Sequence, residues 1–253
     1  MRLYELDEYF KNLMEIDSYS GIDMSLNGVQ VGELNAEIKL VAFAVDACME
    51  TFKRAVDAGA DLLFVHHGIF WGKDIRVVKS HYERIRFLIT NNCALYAAHL
   101  PLDVHPEFGN NAALAALLGV KDPEPFGMYH GIRVGIKGVL DPPLDIETAV
   151  EKLGFDRDTS AAILQFGKKL NTSVGIISGG AVRETQEAID EGLDLYVTGE
   201  MSHTHYHLCL EEGVNLICGG HYQSETLGVS LLSEKLKRDC KLDTVYIDVP
   251  TGL

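Results

Sequence analysis

The chain has 253 residues, one or two domains at about 150 residues each, and its 47% hydrophobic and 23% charged residues are an ordinary globular mix. Disorder, collagen and coiled coil are thereby excluded as the main organisation. The formal net charge of −15, with no basic cluster, disfavours nucleic acid and anionic membrane as partners, and no apolar run approaches the ~20 residues of a membrane span.

The opening MRLYELDEYFKNLMEI is acidic from its fifth residue and is not expected to be a secretory signal. Leu3, Leu6, Phe10, Leu13 and Ile16 fit one face of an amphipathic helix. Asn27-Gly28-x-Gln30 reads as a turn. Strands are expected at 38–45, 61–66 and 94–98, short and apolar like strands covered on both faces. Helices lie between and after them: 47–58, stopped by Gly59; one opening at a Ser80–Glu83 capping box; and 109–118, ending at Gly119. Asp46 is a helix N-cap or an acid supporting a ligand.

Residues 121–127 hold two prolines and form the linker candidate. A strand at 131–140, a stop at Pro142-Pro143 and a helix at 145–153 follow. Strands near 161–166 and 173–178, helix 182–191, strand 194–198, helix 202–212, strand 214–218, helix 224–238 and strand 244–249 complete the chain. This alternation predicts an α/β fold class in two layered units. Five cysteines without a Cys-x-x-Cys pair point to a reduced, cytoplasmic setting.

An internal repeat runs through this pattern. Gly59-Ala-Asp61-Leu-Leu-Phe-Val-His66-His67 aligns with Gly192-Leu-Asp194-Leu-Tyr-Val-Thr-Gly199-Glu200. Likewise Leu95 to His99-x-x-x-Asp103 aligns with Ile217 to His221-x-x-x-Glu225. Both halves put ligand-capable side chains just after a strand, where open α/β sheets collect ligands. Imidazole with carboxylate suits zinc, iron, manganese or nickel, and two such ions about 3.5–4 Å apart can acidify a water and polarise a substrate together. His66 and His67 can share one site only if the strand has ended, for which Gly68 supplies a break.

Other candidates read more plainly. His81, His105 and His130 are structural. His203-x-His205-x-His207 lacks the Glu of His-Glu-x-x-His; His203 lies near the site and the other two on the surface. Ser178-Gly179-Gly180 reads as a tight turn needing glycine, in preference to a phosphate cradle. There is no Walker A sequence and no Gly-x-Ser-x-Gly elbow.

The stretches LNGVQVG, VHHGIFW, AAHLPLDVHPEFGNNAALAALLG, TGEMSH and GGHYQSETLGVSLL, in this order and over nearly the whole chain, resemble the Nif-three-like family, also called GTP cyclohydrolase 1 type 2 homologues. The resemblance implies two divalent metal ions per chain, held by His66, His67, Asp103, His221 and Glu225, with Glu225 the bridge; spacing alone leaves His99 and Glu200 open as ligands. It implies a two-domain protomer in which the chain returns to its first domain, giving 1–125 with 220–253 as the ligand-bearing domain and 126–219 as the second. It also implies a toroidal homohexamer. The function expected is a metal-dependent hydrolase of a small molecule or nucleotide, with His99 or Glu200 moving protons. The alternative is a metal-handling or interaction protein using the same ligands.

Overall fold

The computed structural model describes residues 1–253. In chain order its elements begin with α1 (Leu3–Met14), β1 (Gly28–Val31), β2 (Leu40–Asp46), α2 (Met49–Asp57), β3 (Leu62–His67), α3 (Lys79–Thr90) and β4 (Ala94–Ala97). Next come α4 (Leu100–Asp103), α5 (Asn110–Leu118), β5 (Val120–Tyr129), β6 (Ile132–Leu144), α6 (Ile146–Leu153), β7 (Ala162–Leu164) and β8 (Asn171–Ile176). Then follow α7 (Thr185–Asp190), β9 (Leu195–Thr198), α8 (His203–Glu212), β10 (Asn215–Cys218), α9 (His221–Ser224), α10 (Thr226–Cys240) and β11 (Asp243–Tyr246). No helix is long and apolar enough to cross a membrane.

One compact unit comprises Met1–Leu102 and Gly228–Val249; the other comprises Asp103–Leu227 and Pro250–Leu253. The chain therefore leaves the first unit at Asp103, not after residue 125, and returns at Gly228, not at 220. All of β5 pairs in the second sheet and α9 stays with the second unit. The expected confinement of the ligands to one domain fails for the same reason: Asp103, His221 and Glu225 belong to the second unit.

The first unit's sheet has the order β1-β4-β3-β2-β11, with β1 the antiparallel edge and the rest parallel. Its central strands β2, β3 and β4 are mostly apolar and buried because both faces are covered. Along β3, Leu63 and Val65 enter a cluster with Phe52, Leu88 and Leu95, whereas Phe64 turns the other way onto Phe10, Phe43 and Tyr96. The second sheet has the order β5-β6-β8-β9-β10-β7, and α5 and α6 pack Leu114, Leu118, Val150 and Leu153 against Val174, Ile176, Val197 and Ile217.

Three local expectations are corrected. The 121–127 linker is strand β5, which tolerates Pro123 and Pro125 because it is an edge strand with an irregularity between Lys121 and Glu124. Pro142-Pro143 does not stop β6; the pair sits where the β6–β8 register shifts, between Val139 and Leu144. The Ser80–Glu83 box does not form, since Val78 caps α3 and Glu83 binds Arg86 at 2.6 Å.

The repeat is visible bond by bond. Asp61 Oδ2 accepts from the Lys39 and Leu40 N–H groups at 2.8 and 3.1 Å, and Asp194 Oδ2 accepts from the Thr172 N–H at 2.8 Å. The Ala94 N–H donates to Asp61 O and the Asn215 N–H to Asp194 O. Register pairs Val65 with Ala97 and Thr198 with Cys218. By this register His99 corresponds to Gly220, so the sequence alignment of His99 with His221 slips by one: the second half carries one extra residue between strand and histidine.

Burial alone would raise the Asp194 carboxyl, but bonds from Lys168 and Thr172 outweigh it and hold the group below the usual carboxylate range. A group depressed on folding contributes stability above its unfolded pKa of ~3.9 and loses it as pH falls through the folded value. Wild type should thus lose more stability below about pH 5 than Asp194→Asn does. Thermal unfolding at several pH values checks this, and parallel curves would contradict it.

Candidate metal centre

In the first unit the functional side chains sit at the carboxyl ends of parallel strands. His66 and His67 end β3, Asp46 ends β2 and His99 follows β4. The strand runs through His67, which pairs with Asp46, and ends there, immediately before Gly68. The last β3–β4 pair is Val65 with Ala97. Beyond it the strand is held on one side only, which leaves it free to twist and lets both rings come together. The His66–His67 centroids are 4.6 Å apart, His66–His99 5.1 Å and His67–His99 5.7 Å.

Each of these imidazoles is committed at Nδ1. His66 donates to Ala98 O at 3.0 Å, His67 to Asp46 Oδ1 at 2.9 Å and His99 to Asp23 Oδ1 at 2.9 Å. With the proton on Nδ1, Nε2 carries the lone pair. One nitrogen from each ring lies within 4.8 Å of the others, a spacing a cation can occupy. An acceptor behind each imidazole is the support that metal-ligating histidines have, so this donor set fits a divalent ion.

The supporting shell is built from residues that the sequence left unassigned. Asp23 also accepts from the Ser25 and Leu100 N–H groups and from Asn27 Nδ2, while Asn27 Oδ1 takes the His99 N–H at 2.9 Å. Burial would raise the Asp23 carboxyl, but His99, Asn27 and Ser25 outweigh it and hold it below the ordinary range. The segment read as a turn is β1, and Gln30 on it accepts from the Ile69 N–H at 2.7 Å and donates to Leu26 O at 2.8 Å. The Gln30 amide presses so close to Gly68 that a Cβ there would collide with it, so glycine after the histidine doublet leaves room for both bonds. Of the two readings of Asp46, the helix cap is corrected, since Cys48 caps α2, and the Asp46 carboxylate instead holds His67 Nδ1.

The second unit has its own donors, again after strand ends. Glu225 is buried, and its Oε2 is 3.2 Å from His221 Nε2; His221 Nδ1 donates to Glu200 Oε1 at 2.7 Å. Asp103 Oδ1 accepts from Asn110 Nδ2 at 2.8 Å and Ser178 Oγ at 3.0 Å. Carboxylate oxygens of Asp103 and Glu225 lie within 4.8 Å of each other. Two buried acids this close repel, and a cation offsets that repulsion.

Ser178-Gly179-Gly180 proves to be a turn that closes over these acids. A Cβ on Gly179 (φ +66°) would overlap Glu225 Oε1. The Ser178 and Gly179 N–H groups donate to Asn111 Oδ1 and Ser224 Oγ, so they are not offered to a phosphate.

The sequence candidates are thus distributed as follows. His66, His67 and His99 cluster in the first unit; Asp103, His221 and Glu225 gather in the second; and Glu200 holds the Nδ1 of His221. His203 and His207 are exposed on α8, whereas His205 is half-buried and meets Thr204 Oγ1 at 3.2 Å. His105 accepts from the Glu107 and Phe108 N–H groups, a structural role.

Comparison with known proteins gives a consistent result. The family model described as Duf34/NIF3 (NGG1p interacting factor 3) matches residues 1–251. A GTP cyclohydrolase 1 type 2 homolog of Archaeoglobus fulgidus is 42% identical over 253 residues, covering 100% of both chains. One from Pyrococcus abyssi is 41% identical over 252 residues, with 98% of this chain and 96% of that protein covered. Among solved structures, TTHA1606 of Thermus thermophilus superposes with a TM-score of 0.88 at 36% identity, covering 100% of both chains.

Burial would lower the His221 imidazole, but Glu225 and then Glu200 outweigh it and push its pKa up to about 9. A pKa raised on folding means stability that is full below the unfolded value of ~6.5 and lost as pH rises through the folded one. In metal-free protein, NMR titration of His221 should give a midpoint near pH 9 that falls in Glu225→Gln. A wild-type midpoint at the ordinary value would show that the ion pair does not form in solution.

Proposed function

The chain belongs to the Duf34/NIF3 family, and on that premise we propose that it is a metal-dependent hydrolase of a small molecule or nucleotide, cyclohydrolase-like in its chemistry. In this reading the donors are those that the resemblance implies, His66, His67, Asp103, His221 and Glu225, and they would hold two divalent ions. What carries it is the wiring of the imidazoles: His66, His67 and His221 each spend Nδ1 on a carbonyl or carboxylate and so present Nε2.

Two divalent ions of zinc, iron, manganese or nickel type would supply Lewis acidity and an acidified water near neutral pH. The chain supplies the rest. Asp46, Ala98 O and Glu200 fix the ring orientations, and Asn110 with Ser178 aims the Asp103 carboxylate by occupying one of its oxygens. His99, gripped at Nδ1 by Asp23 and at its backbone by Asn27, is the proton carrier toward an electron-poor carbon of the substrate.

Elemental analysis of gently purified protein should find about two ions per chain, and metal-loaded protein should release formate from GTP. The His66→Ala/Glu225→Ala double variant should do neither. Formate release equal in the two proteins excludes cyclohydrolase activity, and absence of metal from purified and reconstituted wild type ends the dinuclear reading. Ready transfer of metal to an apo acceptor, with no turnover, would favour the metal-handling alternative.

The proposal extends to a cytoplasmic homohexamer. Five free thiols suit a reducing compartment, and the exposed Leu26, Val78 and Ile89 supply apolar surface for self-association. A sedimentation mass of six chains is the expected result; a monomer at micromolar concentration would exclude the ring.

A further inference from the structure

One large side chain beside the imidazole cluster has no part in holding it. Trp71, the sole tryptophan, follows the histidine doublet by four residues. Its Nε1–H donates to Gly68 O at 3.0 Å, which fixes how the indole lies. The ring stands nearly perpendicular to His99 at 5.1 Å between centroids (76°) and tilted to His67 at 5.9 Å (42°).

Despite its size Trp71 is only partly buried, unlike Phe64, Tyr96 and Phe10 beneath the same sheet. The side chain therefore keeps surface for something other than the core. The loop that carries it is tied to the strand-preceding segment by the Leu26 N–H to Phe70 O bond (3.0 Å), and Met24 and Leu26 on that segment are 52% and 55% exposed. This segment therefore adds exposed apolar side chains to the part of the chain that the Trp71 loop is tied to. Two exposed cations, Lys73 and Arg76, follow in the same loop.

We propose that Trp71 is a stacking platform for a planar, nitrogen-containing heterocycle presented to the imidazole cluster. This rests on the hydrolase reading and names its substrate class. A planar indole face stacks on the flat face of any such ring, and a ring carbon flanked by nitrogens is the kind of electron-poor carbon that reading requires. An aliphatic or purely phosphate substrate gains nothing from a tethered indole at this place. Trp71 is accordingly a specificity-determining residue and not a metal ligand.

The test uses metal-loaded, full-length protein with guanosine monophosphate as the probe and ribose 5-phosphate as its ring-less control. Because emission excited at long wavelength comes from Trp71 alone, the nucleotide should quench it saturably and the sugar phosphate should not. Calorimetry on variants then removes dependence on the fluorophore. Trp71→Ala should weaken nucleotide binding about tenfold or more, and Trp71→Phe should stay within about threefold of wild type. Metal content should be unchanged in both. Equal affinity in wild type and Trp71→Ala, or equal quenching by the sugar phosphate, overturns the proposal while leaving the metal centre intact. Wild type that loads metal fully yet binds no nucleotide does the same. Failure to take up metal at all would instead strike the hydrolase reading and this inference with it.

Discussion

The whole arrangement depends on hydrogen bonds made on the far side of each ring from any ligand. A neutral imidazole can carry its proton on either nitrogen and can flip about its bond to Cβ. Asp46, Asp23, Glu200 and the Ala98 carbonyl remove both freedoms by accepting from Nδ1. Without them, the same histidines would be four mobile bases whose lone pairs point in several directions. The cost is that three carboxylates are committed to orientation. Asp23 is the most thoroughly enclosed of these, with four donors converging on its two oxygens.

The duplicated scaffold explains why these groups occur in related places while differing in chemistry. Each copy contains a run of three parallel strands, β2-β3-β4 and β8-β9-β10, an antiparallel strand on the outer one, and an aspartate that ties the start of one strand to its neighbour. Everything C-terminal to those strands is free of the ladder and can vary. After its strands the first copy carries three imidazoles and Asp103, and the second carries Glu200, His221 and Glu225.

Much of this was readable from residue order. Strand ends followed by His66-His67, His99, Glu200 and His221 stood out because apolar runs give way abruptly to ligand-capable side chains, and the α/β alternation followed from short apolar segments of even spacing. Other features were hidden for physical reasons. β5 contains two prolines, which on composition alone mark a linker, and only its edge position, a property of the assembled sheet, makes them tolerable. Gln30 looked like part of a turn because its purpose is a contact with residues 39 positions away. Asp23 and Asn110 carry no local signal of their roles, and Ser178 showed only as part of a glycine turn; their importance lies in which side chain they meet after folding.

The single additional residue in the second half has a consequence for how the two halves could have diverged. One inserted glycine carries the later histidine past the strand extension and onto the first turn of a helix, where the acid four positions on lies beside it. In the earlier half no such offset exists, and its histidine stays on the strand's continuation among other rings. The copies are consequently no longer exchangeable parts. A protein assembled from two copies of the earlier half would duplicate the ring cluster but lack the adjacent imidazole–carboxylate pair, so the difference between the two clusters is written into one residue of chain length.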